Sequence, residues 1–357
     1  MAEKKRILYA DYIRVIAAFG VVQMHTVGAY LYMKETAVFS DPNWMTANVY
    51  YGFLRWCTPF FIMLSGMFLL DPARDEPTAV FLKRRVGKVL KPFAFWALIY
   101  LTYKYRGYLF FGTPLPWGEI GKTLLFGDPY YHLWFIPMII GLYLLTPIFQ
   151  KWTKLATRQD VEYFLALSFT IVALQHLTPG IFVVKYIGWM GHIGYYVLGY
   201  YLTAFPIRER ISRWIYGAAL LMPPLSSWLV WHDSVTRGQY SERFFIYQSP
   251  NIMLMTFAWF LFLRTRDWGR VSGAHEALHR FIMTASYRSF GIYFVHVLLV
   301  DVFKNGYLYF KISPSYLFNL TVAPWYGAFL AGACIFLLSY WLVGLLLRIR
   351  PLRAWIQ

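Results

Sequence analysis

Long apolar runs, broken at intervals by basic or proline-containing segments, set the pattern of this chain. A helix needs about 20 mostly apolar residues to cross a bilayer. Ten stretches meet or approach that length: 7–30, 47–70, 90–111, 131–150, 161–177, 186–204, 214–231, 249–263, 281–303 and 321–347. The fifth and eighth are short. No segment of about ten residues alternates strictly between polar and apolar, so the pattern predicts helices and not an outer-membrane barrel. Ahead of the third stretch, AVFLKRRVGKVL reads as an amphipathic helix lying on a membrane face. The first stretch lacks a small-residue cleavage site and has polar residues at its centre, which predicts a retained helix and not a signal peptide. The expectation is an all-α integral membrane protein, a bundle of about ten transmembrane helices forming a single domain over residues 1–357, with no linker or internal repeat.

Composition agrees and then adds a question. Hydrophobic residues make up 59% of the chain and charged residues 14%, against about 25% charged in a soluble domain. Yet 34 Lys and Arg stand against 17 Asp and Glu, a net charge of +17. There is no soluble scaffold to carry that charge as a nucleic-acid binder would, so membrane lipids and not nucleic acid are the expected surroundings. Placing both termini in the cytoplasm puts the denser basic clusters on the inner side: Lys4, Lys5 and Arg6; Arg74 and Lys83 to Lys91; Lys151, Lys154 and Arg158; Arg208, Arg210 and Arg213; Arg264 to Arg280; Arg348, Arg350 and Arg353. Scattered single charges such as Lys34, Lys104, Lys122, Lys185, Arg237 and Lys311 fall outside. This is the positive-inside arrangement. The two cysteines, Cys57 and Cys334, lie in apolar stretches and read as core residues.

Ionisable groups within the spans carry the chemistry, because a central charge is costly and marks function by default. The first helix holds Asp11, Arg14, Gln23 and His25. Arg14 and His25 are three turns apart on one face, about 16.5 Å along the axis, and Asp11 can pair with Arg14. Counting from span midpoints puts His25 about 10 Å toward the outside, with Arg55 and His296 about 6 Å outward. Arg14 and Arg288 lie about 6–7 Å inward, with Asp11 deeper. The expected result is a cavity with a cationic inner half and an imidazole-bearing outer half. Such a cavity fits transport of an anion with proton-carrying histidines. It equally fits acyl transfer, in which an anionic donor enters from inside and a neutral histidine takes a proton from a hydroxyl.

YADYIRVIAAFGVVQMHTVG resembles the opening helix of the membrane acyltransferase-3 family, whose signature is Arg, ten residues, His; Arg14 and His25 match it. FFIMLSGMFLL, FLKRRVGKVLKPF, YYHLWFIPMIIGLYLLTPIF, GYYVLGYYL and SYRSFGIYFVH are similar to further family stretches in the same order. The resemblance is nearest to stand-alone members that O-acetylate surface polysaccharides, such as the enterobacterial common antigen O-acetyltransferase, and this sequence lacks the soluble esterase-like or racemase domain fused to other members. It implies an O-acetyltransferase of the bacterial inner (plasma) membrane that takes acetyl from cytoplasmic acetyl-coenzyme A and delivers it to a glycan or lipid-linked glycan. It implies His25 and Arg14 as catalytic, with Arg14, Asp11 and Arg288 toward the acyl-coenzyme A donor.

Each outer candidate also fits a plainer role. Arg55 is a substrate contact or a structural cation. His132 and Trp134 open the fourth span, where an aromatic belt alone would place them, or they bind a sugar. Tyr293 and His296 share a helix face, as substrate contacts or as a packed pair. Ser65-Gly66 reads as a close helix approach, and His192 as packing. No Cys/His cluster has zinc spacing, so no metal is expected. A transporter or exporter of a polysaccharide or small polar metabolite remains the alternative, and homo-oligomerisation is left open.

Overall fold

The computed structural model describes residues 6–31, 39–126, 129–178, 190–305 and 324–356, and every regular element among them is helical. The helices are α1 (Leu8–Leu31), α2 (Pro42–Leu54), α3 (Cys57–Leu69), α4 (Thr78–Lys104), α5 (Arg106–Phe110), α6 (Trp117–Phe126), α7 (Phe135–Leu155) and α8 (Arg158–Leu177). They continue with α9 (Met190–Ala204), α10 (Glu209–Arg237), α11 (Pro250–Arg264), α12 (Trp268–Ala274), α13 (Glu276–Asn305), α14 (Pro324–Leu346) and a last turn, α15 (Arg353–Ile356). Each predicted apolar stretch falls on one of these helices or on an adjoining pair. Among the described residues, four segments, Pro42–Leu69, Phe135–Leu155, Arg243–Arg264 and Tyr326–Leu346, are long and apolar enough to cross a membrane by length and composition. This is an all-α membrane protein. Lys4, Lys5, Lys34, Lys185 and Lys311, and the first residues of the sixth and tenth stretches, lie outside the described residues.

Two elements differ from the pattern in the sequence. The second stretch is a broken helix, interrupted at Arg55-Trp56 between α2 and α3. Pro59 explains the break: it has no N–H to give to the carbonyl four residues earlier, which is that of Arg55, and its ring crowds that carbonyl. At the break the Arg55 N–H bonds the carbonyl three residues back, that of Gly52, at 3.3 Å. In the third stretch, the amphipathic segment and the span after it form one 27-residue helix, α4, with Pro92 inside it.

The chain groups into two compact units. The larger comprises Met1–Asp71 and Leu155–Tyr340. Within it α1 packs against α13, α2 and α3, and α3 lies against α9. That last contact is set by glycine. A Cβ on Gly66 would sit 1.8 Å from the Tyr196 carbonyl oxygen, and one on Gly199 would sit 1.9 Å from that of Met63. Only bare backbone fits there, as in close-packed membrane helices. Gly20 of α1 similarly admits the Cys57 thiol, and Cys57 is fully buried and free. A capping box, Thr157 with Asp160, starts α8.

The smaller unit comprises Pro72–Lys154 and Trp341–Gln357, with α15 packed on α4. Ion pairs join Arg84 to Glu76 and Lys154 to Asp75. His132 is buried, edge-on to Tyr100 at 4.8 Å and Tyr131 at 5.8 Å, and Trp134 is half-buried beside Phe135.

Candidate active site

Two polar clusters lie along α1, both inside the larger unit. The first sits near the start of the helix, where it crosses α13. Asp11 is 5% exposed. Its Oδ1 accepts from Arg14 Nη1 at 3.1 Å and from Ser286 Oγ at 2.5 Å, and its Oδ2 accepts from Arg6 Nε at 2.6 Å. Ser286 Oγ in turn accepts from Arg14 Nη1 at 2.8 Å. One carboxylate thus holds two guanidinium groups, leaving one positive charge in excess. These groups border a pocket of about 480 Å³ that Met283, Thr284 and Tyr287 complete. Its size is that of a small-molecule site. An anionic group suits the excess charge, since guanidinium binds phosphate or carboxylate with charge-assisted bonds.

Arg288 does not join this cluster. It lies two residues beyond Ser286 on α13, and two residues turn a helix by about 200°. With Ser286 facing α1, Arg288 faces the other way: it donates to the Tyr340 carbonyl at 3.2 Å and lies 4.4 Å from the Tyr340 ring. Ser286 and Arg6 are the members that sequence reasoning missed. Ser286 stands in the quoted SYRS run, overshadowed by its charged neighbour, and Arg6 reads from sequence only as a topology charge.

The second cluster lies three turns further along α1. His25 has accessible surface although its neighbours from Val21 to Gly28 are buried. The His296 ring from α13 lies 5.2 Å away, tilted by 50°. His296 is fully buried, and its Nδ1 lies 3.0 Å from the Ile292 carbonyl. A carbonyl only accepts, so Nδ1 carries a proton and donates it there. Tyr293, one turn back, is 6.2 Å from the His296 ring. Gln23 crosses to the Phe329 carbonyl at 3.1 Å and accepts from Tyr50 Oη at 3.0 Å.

Arg55 stands at the helix break and is 8% exposed. Its Nε donates to the Phe245 carbonyl at 2.5 Å, and its Nη1 to Tyr51 Oη at 3.0 Å and to the Met24 sulfur at 3.5 Å. The guanidinium lies 4.1 Å from the Tyr247 ring, a cation–π contact strengthened by burial. Tyr247 is fixed by its bond to Thr58 at 3.0 Å. Met24 is the chain neighbour of His25, so α1 brings the imidazole and the guanidinium into one electrostatic neighbourhood.

A family model described as an acyltransferase domain, Acyl_transf_3, matches residues 7–344. The chain belongs to the acyltransferase-3 family. Among curated proteins, this acyltransferase is similar to a serine/alanine racemase of Enterococcus gallinarum, at 30% identity over 142 residues, 39% of this chain and 19% of the racemase. It is also similar to an amino-acid racemase of Enterococcus faecalis, at 33% identity over 135 residues, 37% of this chain and 17% of the racemase. The chain thus spans less than a fifth of the length of these relatives. No solved structure matches it. Apart from Arg6, both clusters lie within the matched residues, and the helix that links them carries the Arg14 and His25 spacing.

Proposed function

We propose that this membrane acyltransferase moves an acetyl group from cytoplasmic acetyl-coenzyme A to a hydroxyl of an extracytoplasmic or lipid-linked glycan. The observation that carries this reading is the arrangement of α1. One continuous helix holds an arginine-bordered pocket near one end and, three turns on, an imidazole with accessible surface in a polar interior. The separation along the helix is about 16.5 Å. A pantetheine arm reaches about 15–20 Å by the same extended-chain geometry. Phosphates held at Arg14 and Arg6 would therefore leave the thioester within reach of His25.

His25 is the base in this reading. It takes the proton of the acceptor hydroxyl as the oxygen attacks the acyl carbon, then returns it to the departing sulfur. Arg14 and Asp11 bind and orient the donor, with Ser286 fixing the pair. His296 and Tyr293 line the acceptor side, and Arg55 stands against Met24, the residue before His25. Ten spans with both termini inside a bacterial inner membrane would put the first cluster toward the cytoplasm, where the donor is.

The test is thiol release from acetyl-coenzyme A by purified protein given candidate glycans. Wild type should release thiol only with an acceptor present, and His25→Ala should lose transfer by at least about 100-fold, the lower range for removing a general base. Near-normal transfer by a folded His25→Ala protein defeats this mechanism. Uptake of labelled solute into proteoliposomes with no thiol release supports a transporter instead.

A further inference from the structure

Arg55 has a feature that substrate contact alone leaves unused. It is a buried cation, and no carboxylate pairs with it among the described residues. A charge left unpaired in the interior is costly and is kept where it serves a function. The described residues hold it with neutral groups: one carbonyl, one phenol, one thioether and the faces of Tyr51 and Tyr247. Those bonds use Nε and Nη1. The Nη2 group carries two further N–H donors and bonds nothing among the described residues. The guanidinium is therefore fixed on three sides, bears a full charge and has a donor pair unspent. Its position is equally fixed, because it stands where Pro59 breaks the helix and beside the residue preceding His25.

Preorganised donors aimed at a developing negative oxygen, in a site removed from water, are the usual main source of acyl-transfer catalysis. We infer that Arg55 is a catalytic residue of this enzyme and that its Nη2 group binds the oxyanion formed during acyl transfer. The inference rests on thioester chemistry at His25 as proposed above. As the acceptor oxygen bonds to the acyl carbon, its proton passes to His25, and the carbonyl π pair moves onto the carbonyl oxygen, which becomes the oxyanion held by Nη2. Collapse re-forms the carbonyl and breaks the carbon–sulfur bond. The sulfur leaves with that electron pair and takes the proton back from His25. Each atom and charge is accounted for without a further reactant. A fixed anion on the acceptor would satisfy the same donors, and the test separates the two sources.

Binding to the full-length purified protein is measured for two inert donor analogues, the methyl ketone and the trifluoromethyl ketone in which a methylene separates the sulfur from the carbonyl. The trifluoromethyl ketone readily becomes a tetrahedral adduct with an acidic oxygen, and transition-state-like ligands of this kind bind at least about 100-fold more tightly than ground-state analogues. Wild type should show that preference. Arg55→Gln should abolish it while changing methyl-ketone affinity less than about threefold, and should lower kcat by about 100- to 1000-fold with KM for the acceptor little changed. Arg55→Lys keeps the charge that supports the fold but lacks the second donor nitrogen, and should lose at least about tenfold of the preference. An intact preference in either variant overturns the inference. So does a rise in acceptor KM with kcat retained, which identifies a fixed anion on the acceptor. Failure of wild type to bind either analogue overturns the donor assignment itself, and is distinct from both.

Discussion

Asp11→Asn is the sharpest probe of the inner cluster. The substitution keeps the shape and removes the charge. Asp11's side chain is 7% exposed, its partner Arg14 28% and its partner Arg6 56%. The Arg6 pair is half in solvent and contributes about 0–1 kcal/mol. The Ser286 bond to a charged acceptor contributes about 1.5–3 kcal/mol. Stranding a fully buried Arg would cost about 3–5 kcal/mol, but Arg14 faces a pocket, so its share is lower. Asparagine retains one acceptor oxygen, yet its amide N–H₂ then faces either Arg6 Nε or the Arg14–Ser286 pair, donor against donor. The net expectation is a loss of about 2–4 kcal/mol, read as a shift in the unfolding midpoint in mild detergent. A double-mutant cycle with Arg14→Gln isolates the pair, and should show a coupling of about 1–2 kcal/mol. On the proposed donor site, donor affinity should fall with it, because Arg14 loses the anchor that aims it. Additive single effects, or Asp11→Asn within about 0.5 kcal/mol of wild type, would refute the reasoning.

Two further outcomes follow from groups away from this cluster. Burial raises the Glu242 carboxyl above its ordinary value of 4.5, and its Oε1 is enclosed without a hydrogen-bond partner among the described residues. The folded state therefore holds the proton more tightly than the unfolded state, and stability falls as pH rises from that ordinary value through the folded pKa, then levels off. Glu242→Gln should match wild type in melting temperature near pH 4, exceed it at pH 7 and show a flatter pH profile; identical profiles would refute this. Gly199→Val places side-chain atoms against the Met63 backbone and should cost more than about 4 kcal/mol, seen as loss of the monodisperse peak in size-exclusion chromatography. Gly217→Ala, in open space on α10, should leave that peak intact.

The helices were legible because a membrane span writes itself in composition and length, and the ordered family stretches reach nearly the whole chain. The break at Arg55 was not, although its cause, Pro59, stands in plain view. An apolar window of suitable length absorbs a proline without changing its mean hydropathy. The Arg14–Asp11 pair follows from i,i+3 spacing on one helix. Which face of α13 meets it does not follow, because Ser286 and Arg288 both fit a polar face and only packing sets the rotation. Charge drew attention to Arg288, and the structure gives the contact to the small hydroxyl instead. His132 shows the opposite limit: its sequence position at a predicted interface says nothing about the tyrosines that enclose it. The likeness of Ser65-Gly66 to a close-approach motif was readable, since Gly66 meets bare backbone.

That glycine contact has a mechanical consequence. With the Gly66 and Gly199 positions resting directly on carbonyl oxygens, no layer of side chains separates α3 from α9 there. Nothing lies between them to change rotamer, slide by a ridge or repack, so the two helices behave as one stiff strut. The strut begins at Cys57, two residues after Arg55. Any change of shape in this part of the larger unit must then come from elements outside this pair, or from the break at Arg55-Trp56 that precedes it.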